Sequence, residues 1–243
     1  MKKLFSKENP RMKKFKGEFK RLIDLEQKTV KRFSLEAKDF YPCLNDATAS
    51  TGFDRHYVYH PAWAARIIKT NNPEKHIDIS STLYFCSMLS AFVPVEFYDY
   101  RPAKLFLTNL KAMPGDLMNL PFADASVTSL SCMHTIEHIG LARYGDPLDY
   151  NGDIKAISEL KRVLAKDGSL LFVVPIGNVN KIFFNAHRVY TKESILALFS
   201  DLSLQEFVLI PEDEADGGLV VNPDETLLSK QVYGCGCFWF KKQ

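Results

Sequence analysis

The feature that most constrains the fold is an alternation of short apolar runs with helical patterns, from about residue 74 to the end of the chain. The apolar runs are rich in β-branched and aromatic residues, as strands are, and helix-period segments separate many of them. A chain that alternates in this way builds βαβ units, in which parallel strands form one sheet and helices cover its faces. We therefore expect an α/β domain with a mostly parallel central sheet flanked by helices.

The pattern predicts seven strands and four helices in this region. The predicted strands cover 76–79, 95–98, 111–113, 127–132, 169–174, 204–210 and 233–240, and the predicted helices cover 82–91, 103–109, 152–165 and 192–199. Gly168 follows the clearest helix, and we expect it to be that helix's left-handed cap. Pro61 is expected to open a further helix at its first turn, where a missing N–H does no harm.

The first 38 residues differ in charge from the rest. Residues 1–38 contain thirteen Lys and Arg against five Asp and Glu, a net charge of +8, whereas residues 39–243 carry −6 of the overall +2. Apolar residues recur at helical intervals over about 12–33, so we predict a basic amphipathic helix. Such a helix can lie on an anionic membrane or pack on protein, and packing is favoured because the apolar stripe is short. We expect two parts: a helical extension, 1–38, and an α/β domain, 39–243.

Several classes of protein are disfavoured by composition. No run approaches the roughly 20 apolar residues that cross a bilayer, and the basic N-terminus lacks the apolar segment of a secretory signal. Five cysteines is an odd count without a disulfide pattern, which favours a reducing compartment and predicts a cytoplasmic protein. The acidic 39–243 region disfavours nucleic-acid binding.

Polar residues follow the predicted strands at their carboxyl ends, where open parallel sheets bind ligands. Asp78 and Ser80 lie at the end of the first strand, Asp99 after the second and Asp116 after the third. A carboxylate in the position of Asp99 can accept hydrogen bonds from the vicinal hydroxyls of a ribose, and Asp116 can accept from an exocyclic amine. Together they suit a ligand that contains adenosine.

Longer motifs in the same region resemble a known fold family. The stretches GDLMNLPFADASVTSLSCMHTIEHIG and LKRVLAKDGSLLFVVP resemble class I S-adenosylmethionine-dependent methyltransferases. More narrowly, DISSTLYF, YDYRPA, LSCMHTIEHIGLARYGD, GDIKAISELKRVL, FNAHRVY and YGCGCFWF resemble domain-of-unknown-function family 268. The resemblance implies a Rossmann-like class I methyltransferase fold and S-adenosyl-L-methionine as cofactor.

The resemblance and the strand-end positions together give a candidate site. The expected cofactor-binding residues are Asp78, Ser80, Asp99, Arg101, Asp116, Leu117, His134 and Thr135. The expected catalytic residues are His138 and His187 as bases, with Glu137 as orienting residue or second base. The expected substrate-binding residues are Tyr144, Asp146, Asp149 and Arg188.

One departure from the methyltransferase pattern bears on the cofactor. The family places glycines two, four and six residues after the first-strand acid, where this chain has Ser80, Thr82 and Tyr84. Glycine serves there because the backbone approaches the ligand closely. A bulky Tyr84 would press on the cofactor or take part of its place.

Metal sites are not expected from the sequence. His134, Glu137 and His138 match the H-x-x-E-H pattern of one class of zinc proteases, but they directly follow a strand instead of lying on a long helix. Cys235 and Cys237 lack a second Cys or His pair at zinc spacing, and we expect both to be small residues of the last strand.

The sequence thus favours a methyltransferase that acts on a small-molecule or carbohydrate acceptor. The alternative is a methyltransferase-like domain without catalysis that serves as a binding or assembly partner and contacts a membrane through residues 1–38.

Overall fold

The structure is a computed structural model that describes residues 9–243. The chain divides into two compact units, Met1–Phe53 and Asp54–Gln243. This boundary falls later than the predicted one after residue 38. No helix among the described residues is both long and apolar enough to cross a membrane.

The first unit contains one long helix, α1 (Pro10–Glu26), and a short 3-10 turn at Ala37–Asp39. Pro10 occupies the first helical turn, and the Asn9 side chain caps it by accepting from the Arg11 N–H. Phe15 and Phe19 pack edge-on against Phe40, with ring centroids 5.0 and 4.6 Å apart. Phe15 and Phe19 of the predicted apolar stripe therefore have a protein partner within their own unit.

The second unit is an eight-stranded sheet with helices on both faces, and it confirms the predicted α/β class. Its helices are α2 (Arg55–Asn71), α3 (Leu83–Leu89), α4 (Gly152–Val163), α5 (Lys192–Leu198) and α6 (Glu225–Lys230). Its strands are β1 (His76–Ile79), β2 (Val95–Asp99), β3 (Leu110–Pro114), β4 (Val127–Met133), β5 (Leu164–Ile176), β8 (Leu202–Ile210), β9 (Val220–Val221) and β10 (Gly234–Lys242). A separate hairpin is formed by β6 (Lys181–Phe183) and β7 (His187–Val189).

The strand order is β3-β2-β1-β4-β5-β10-β8-β9. Strands β1 to β5 pair in parallel, whereas β10 is antiparallel to both β5 and β8. One apolar cluster packs the sheet against α4 and α5, through residues such as Ile157, Leu160 and Ile195. A second cluster packs the other face against α2 and α3, through Trp63 and Phe85 among others. Two covered faces leave the carboxyl ends of the strands as the place for a ligand.

Three predicted local features are wrong. α2 begins at Arg55, because Asp54 accepts from the Tyr57 N–H and caps the helix there, so that Pro61 lies inside it. Residues 103–109 form no helix; Leu107 instead bridges to Leu110 through a turn in which Asn109 has a φ of 62°.

The left-handed residue after α4 is Asp167, with a φ of 59°, and not Gly168. Gly168 lies within β5, and a Cβ there would come within 2.7 Å of the Ala165 carbonyl oxygen. Glycine is required at this position by close backbone packing and not by a helix cap.

Candidate functional site

The candidate site lies where the strand order reverses. β1 pairs with β2 on one side and with β4 on the other. The chain leaves β1 and β4 towards opposite faces of the sheet, and such a switch point opens a crevice at the carboxyl ends of the strands. We call the region formed by Ser80, Asp99, Asp116 and Thr135 the strand-end crevice.

Hydrogen bonds join the loops of the strand-end crevice. The Ser80 N–H and hydroxyl both donate to the Tyr98 carbonyl oxygen, at 2.8 and 3.0 Å. The Thr135 hydroxyl donates to the Ser80 carbonyl oxygen at 2.9 Å. Ser80 has a φ of 53°, a conformation that glycine adopts most easily. Ser80 therefore takes the backbone shape for which the methyltransferase pattern uses glycine, and Thr135, which is buried, supports it.

Two carboxylates of the crevice lie at the ends of neighbouring strands. The Gly115 N–H donates to the Asp99 carbonyl oxygen at 3.0 Å, which brings Asp116 next to the end of β2. One oxygen of Asp99 accepts from the Arg101 N–H at 2.7 Å, and one oxygen of Asp116 accepts from the Met118 N–H at 2.9 Å. The second oxygen of each carboxylate accepts no hydrogen bond from the described residues. Both side chains are partly exposed, so these oxygens can accept from a ligand.

Asp78 lies beneath the crevice and does not face it. Its side chain is fully buried, and it accepts from the Ser81 N–H at 3.0 Å and from the Ser131 hydroxyl. Burial raises the pKa of this carboxyl, although hydrogen bonds from Ser131 and Ser81 oppose the shift. The prediction that Asp78 contacts the cofactor directly is therefore wrong in this structure; it holds the loop after β1.

Three further side chains were expected near the crevice, and each has a different environment in the structure. Tyr84 is 84% exposed, so its ring lies in solvent and does not fill the space after β1. Thr82 accepts from the Phe85 N–H and caps α3. Leu117 is buried in the core beside the crevice.

His134 points away from the crevice, towards α2. Its φ is 55°, and its ring is buried and stacks on His56 and Tyr57, with centroids 5.1 and 5.3 Å away. The His134 ring thus packs on two residues of α2, and its predicted cofactor contact stays a prediction. The imidazole Nδ1–H donates to the Glu137 carboxylate at 2.8 Å.

Glu137 is buried and acts as the partner of two histidines. Burial alone would raise the pKa of Glu137, but the hydrogen bond from His134 and the neighbouring His134 and His138 outweigh it and leave the pKa lowered. With 1% of its side chain exposed, Glu137 orients histidines and is not a base accessible to a substrate.

His138, a predicted base, has two partners at one ring nitrogen. Its Nδ1 lies 2.6 Å from the Ala186 carbonyl oxygen, which can only accept, and 3.1 Å from the Arg143 guanidinium, which can only donate and also bonds to that carbonyl oxygen. The shorter contact favours a proton on Nδ1, which leaves the lone pair on Nε2. Burial lowers the pKa of His138, so the ring is neutral at pH 7. The Glu137 carboxylate lies 3.8 Å from Nε2 and would stabilise the ring once it is protonated.

Tyr144 connects this histidine to the strand-end crevice. The Arg101 guanidinium lies over the Tyr144 ring, 4.6 Å from its centroid, and the His138 ring meets Tyr144 edge-on at 5.7 Å. Tyr144 belongs to residues 139–151, which we call the acceptor loop. Arg101 is therefore placed over the acceptor loop, and its predicted role as a cofactor ligand stays a prediction.

The two acidic residues of the acceptor loop hold the loop itself. Asp146 accepts from the Gly140 and Tyr144 N–H groups, at 2.8 and 3.1 Å. Asp149 accepts from the Asn151 N–H at 3.0 Å and pairs with Lys155 at 2.5 Å. These bonds lower the pKa of Asp149, with the Lys155 contribution the largest. Both carboxylates are thus used within the loop and are not directed at a substrate.

Arg188 also supports the acceptor loop, from the buried side of the loop. It is 4% exposed and donates to the Ile139 and Tyr150 carbonyl oxygens at 2.6 and 3.1 Å. Its Nε lies 3.5 Å from Asp153, which also accepts from the Tyr190 hydroxyl at 3.0 Å. Arg188 lines one wall of a cavity of about 590 Å³ between the start of α4, β7 and α5. Its hydrogen bonds give it a structural role, and its predicted direct contact with substrate stays a prediction.

His187 is the second predicted base and remains one. Its ring is partly exposed and lies 4.9 Å from the Tyr233 ring and 5.2 Å from the Phe183 ring. Burial lowers the pKa of His187, so it too is neutral at pH 7.

Sequence reasoning missed the residues that α2 brings to this region, namely His56, Tyr57 and His60. With Pro61 expected in the first turn of the helix, these residues precede the predicted start of the helix. The available signal was Asp54, an N-cap residue type, followed by two histidines four residues apart.

Comparison with known proteins bears on the family and the fold. Residues 123–208 match the family model described as "Caenorhabditis protein of unknown function, DUF268". This confirms the family resemblance. No curated protein sequence matches the chain.

Solved structures show the same fold at low sequence identity. A putative methyltransferase from Bacillus halodurans is 17% identical with a TM-score of 0.52, over 75% of this chain and 99% of the other. The N-methyltransferase NodS from Bradyrhizobium japonicum, in complex with S-adenosyl-L-homocysteine, is 13% identical with a TM-score of 0.52, over 75% and 85%. The 1,6-didemethyltoxoflavin-N1-methyltransferase from Burkholderia thailandensis is 9% identical with a TM-score of 0.55, over 98% and 93%. The Rossmann-like class I methyltransferase fold is thereby confirmed.

Proposed function

We propose that this protein is an S-adenosyl-L-methionine-dependent methyltransferase that acts on a small-molecule or carbohydrate acceptor. The observation that carries the proposal is the pair Asp99 and Asp116, which lie at neighbouring strand ends with one free carboxylate oxygen each. Their position beside the switch point of the sheet is where this class of fold binds nucleotides. The NodS and toxoflavin methyltransferase structures are complexes with S-adenosyl-L-homocysteine, which supports the same ligand class here.

The residues of the crevice fit the cofactor on three observations. Asp99 can accept from the ribose hydroxyls and Asp116 from the adenine amine. Ser80 already has the glycine-like φ of 53° that allows the backbone to come close to a ligand. The exposed Tyr84 leaves the space after β1 clear. When bound, the cofactor supplies a methyl group activated by a sulfonium.

His138 supplies what a hydroxyl acceptor needs from the protein. Its neutral Nε2 can take the acceptor proton, and the Glu137 carboxylate then stabilises the imidazolium. Tyr144 is partly exposed beside Arg101, Arg143 and His138, so an acceptor that reaches His138 would also contact Tyr144. A methyl transfer otherwise depends mainly on positioning, which the acceptor loop provides.

The compartment forms part of the same proposal. All five cysteines are free, and four of them are buried. Free buried thiols are usual in a reducing environment, which supports a cytoplasmic location.

The test is calorimetry with S-adenosyl-L-homocysteine on the full chain. We expect the wild type to bind and Asp99→Ala to bind at least tenfold more weakly, since a charge-assisted hydrogen bond is worth about 1.5–3 kcal/mol. Asp201→Ala is the matched control, because Asp201 is an exposed carboxylate at the opposite end of the sheet, before β8. It should bind like the wild type.

Absence of binding to the folded wild type would overturn the proposal and favour the non-catalytic alternative. Equal loss of affinity in the Asp99 and Asp201 variants would show that the ligand does not lie in the strand-end crevice.

A further inference from the structure

A cluster of metal-ligating side chains lies under the start of α2, outside the strand-end crevice. His56 lies near the start of α2, His134 follows β4 and Cys235 lies in β10. One ligand atom from each of the three comes within 4.8 Å of the other two. The His56 and His134 rings stack with their planes 14° apart, and Cys235 is fully buried. Three elements distant in the sequence thus converge on one point.

Two buried imidazole nitrogens beside this point lack hydrogen-bond partners among residues 9–243. The His134 Nδ1–H donates to the Glu137 carboxylate, so its Nε2 carries a lone pair, and no described residue bonds to that buried atom. The His60 Nδ1–H donates to the His56 carbonyl oxygen at 2.6 Å, and its buried Nε2 likewise has no partner in the described part of the chain. The His60 ring centroid is 5.1 Å from that of His134. Unpaired buried polar atoms are rare in folded proteins, and an ion is one of the usual reasons for them.

The chemistry of the set is that of zinc. Neutral imidazole nitrogen and thiolate sulfur are the ligands that Zn²⁺ takes in proteins. A ligating histidine commonly donates its other N–H to a carboxylate, as His134 does to Glu137. A tetrahedral ion with bonds of about 2.0–2.3 Å separates its ligand atoms by roughly 3.3–3.8 Å. The present separations of up to 4.8 Å need to close by about 1 Å, which is within the reach of side-chain rotation.

We propose that His56, His134 and Cys235 bind one Zn²⁺ ion. The ion would link the start of α2 to the end of β4 and the start of β10. Binding takes Cys235 as the thiolate and releases its proton to solvent. Three protein ligands leave a fourth position, where a bound water could donate to His60 Nε2. The site goes beyond the proposed methyl transfer and does not depend on it.

The experiment uses the full-length protein, stripped of metal with a chelator and titrated with Zn²⁺, and separately with Co²⁺ as a spectroscopic probe. We expect one equivalent of either ion to bind, with a thiolate-to-cobalt charge-transfer band and a raised thermal unfolding midpoint. Cys235→Ser should weaken binding by more than about 100-fold, beyond what loss of an outer-shell partner costs. Cys86→Ser is the matched control, because Cys86 is equally buried but lies in α3 and should leave binding unchanged.

Circular dichroism establishes that each variant is folded before binding is compared. If Cys235→Ser does not fold, the cobalt spectrum of the wild type decides, since only a thiolate ligand gives the charge-transfer band. The proposal is overturned by the absence of stoichiometric binding, by a cobalt spectrum without thiolate ligation, or by equal affinities in the two folded serine variants.

Discussion

At the scale of single residues, the most consequential feature is the burial of neutral histidines. His76 lies in the sheet with its two ring nitrogens 2.8 Å from the Ser129 and Ser131 hydroxyls, and burial lowers its pKa to about 3. His60 is also fully buried, and burial lowers its pKa well below the ordinary value of 6.5. The folded protein therefore excludes protons that the unfolded chain binds.

This exclusion predicts how stability changes with pH in metal-free protein. Above pH 6.5 the two histidines are neutral in both states and contribute no pH dependence. Below pH 6.5 only the unfolded chain is protonated, so the free energy of unfolding falls as the pH falls towards the folded pKa, by up to about 1.4 kcal/mol per pH unit for each histidine. Urea unfolding between pH 6.5 and 5 measures the slope, above the range in which most carboxylates titrate; Asp78, whose pKa is raised, is an exception.

His76→Gln is the variant that isolates one group. Glutamine can still hydrogen-bond to a serine hydroxyl but does not titrate, so the slope should decrease by about one proton. A wild-type stability that is flat from pH 6.5 to 5, or an unchanged slope in the variant, would contradict the account of buried neutral histidines.

The directions of single side chains were also the features that the sequence predicted least well. A carboxylate at a strand end can face the crevice, as Asp99 does, or turn under its own loop, as Asp78 does, and both read alike in a sequence. The direction in which the His134 side chain points depends on a backbone φ of 55°, and no neighbouring residue type indicates that conformation. The sequence does not show that Arg188 is buried, because its burial depends on the packing of β7 against the acceptor loop.

At the scale of elements, the acceptor loop depends on two glycines of different kinds. Gly140 has a φ of 77°, and a Cβ there would lie 2.1 Å from the Asp149 carbonyl oxygen. Gly145 has a φ of 84°, but a Cβ there would meet open space. Both positions need a left-handed conformation, whereas only Gly140 also needs the absence of a side chain.

Alanine substitutions separate the two requirements. Gly145→Ala should cost about 1–2 kcal/mol, the strain of a left-handed alanine. Gly140→Ala should cost several kcal/mol more than that, because backbone on one side of the loop must move. Urea unfolding of the two variants makes the comparison; equal costs would show that Asp149 does not close on Gly140 as described.

Elements were predicted well where a periodic pattern specified them. The β1 strand begins and ends at the predicted residues, and α4 and α5 lie within two residues of the predicted bounds. The start of α2 was missed because its capping Asp54 lies in a segment rich in aromatic and turn-forming residues, and Pro61 gave a stronger but misleading signal. The predicted helix at 103–109 failed because a Leu107–Leu110 bridge replaces it before β3.

At the scale of the whole molecule, the order of the strands explains the location of the site. Alternating elements in the sequence predict a parallel sheet, but the sequence does not state that β1 lies between β2 and β4. That order places the β1 loop at the switch point and makes neighbours of Asp99 and Asp116. It also brings His56, His134 and Cys235 together from three distant segments, which is why no spacing pattern revealed them.

The central claim is that the free oxygens of Asp99 and Asp116 receive an adenosine moiety. A crystal structure of the protein with S-adenosyl-L-homocysteine tests it most directly. The account predicts ribose hydroxyls within hydrogen-bond distance of Asp99 and the adenine amine beside Asp116. A ligand found elsewhere, for example in the cavity beside Arg188, or one whose adenosine contacts neither carboxylate, would contradict it.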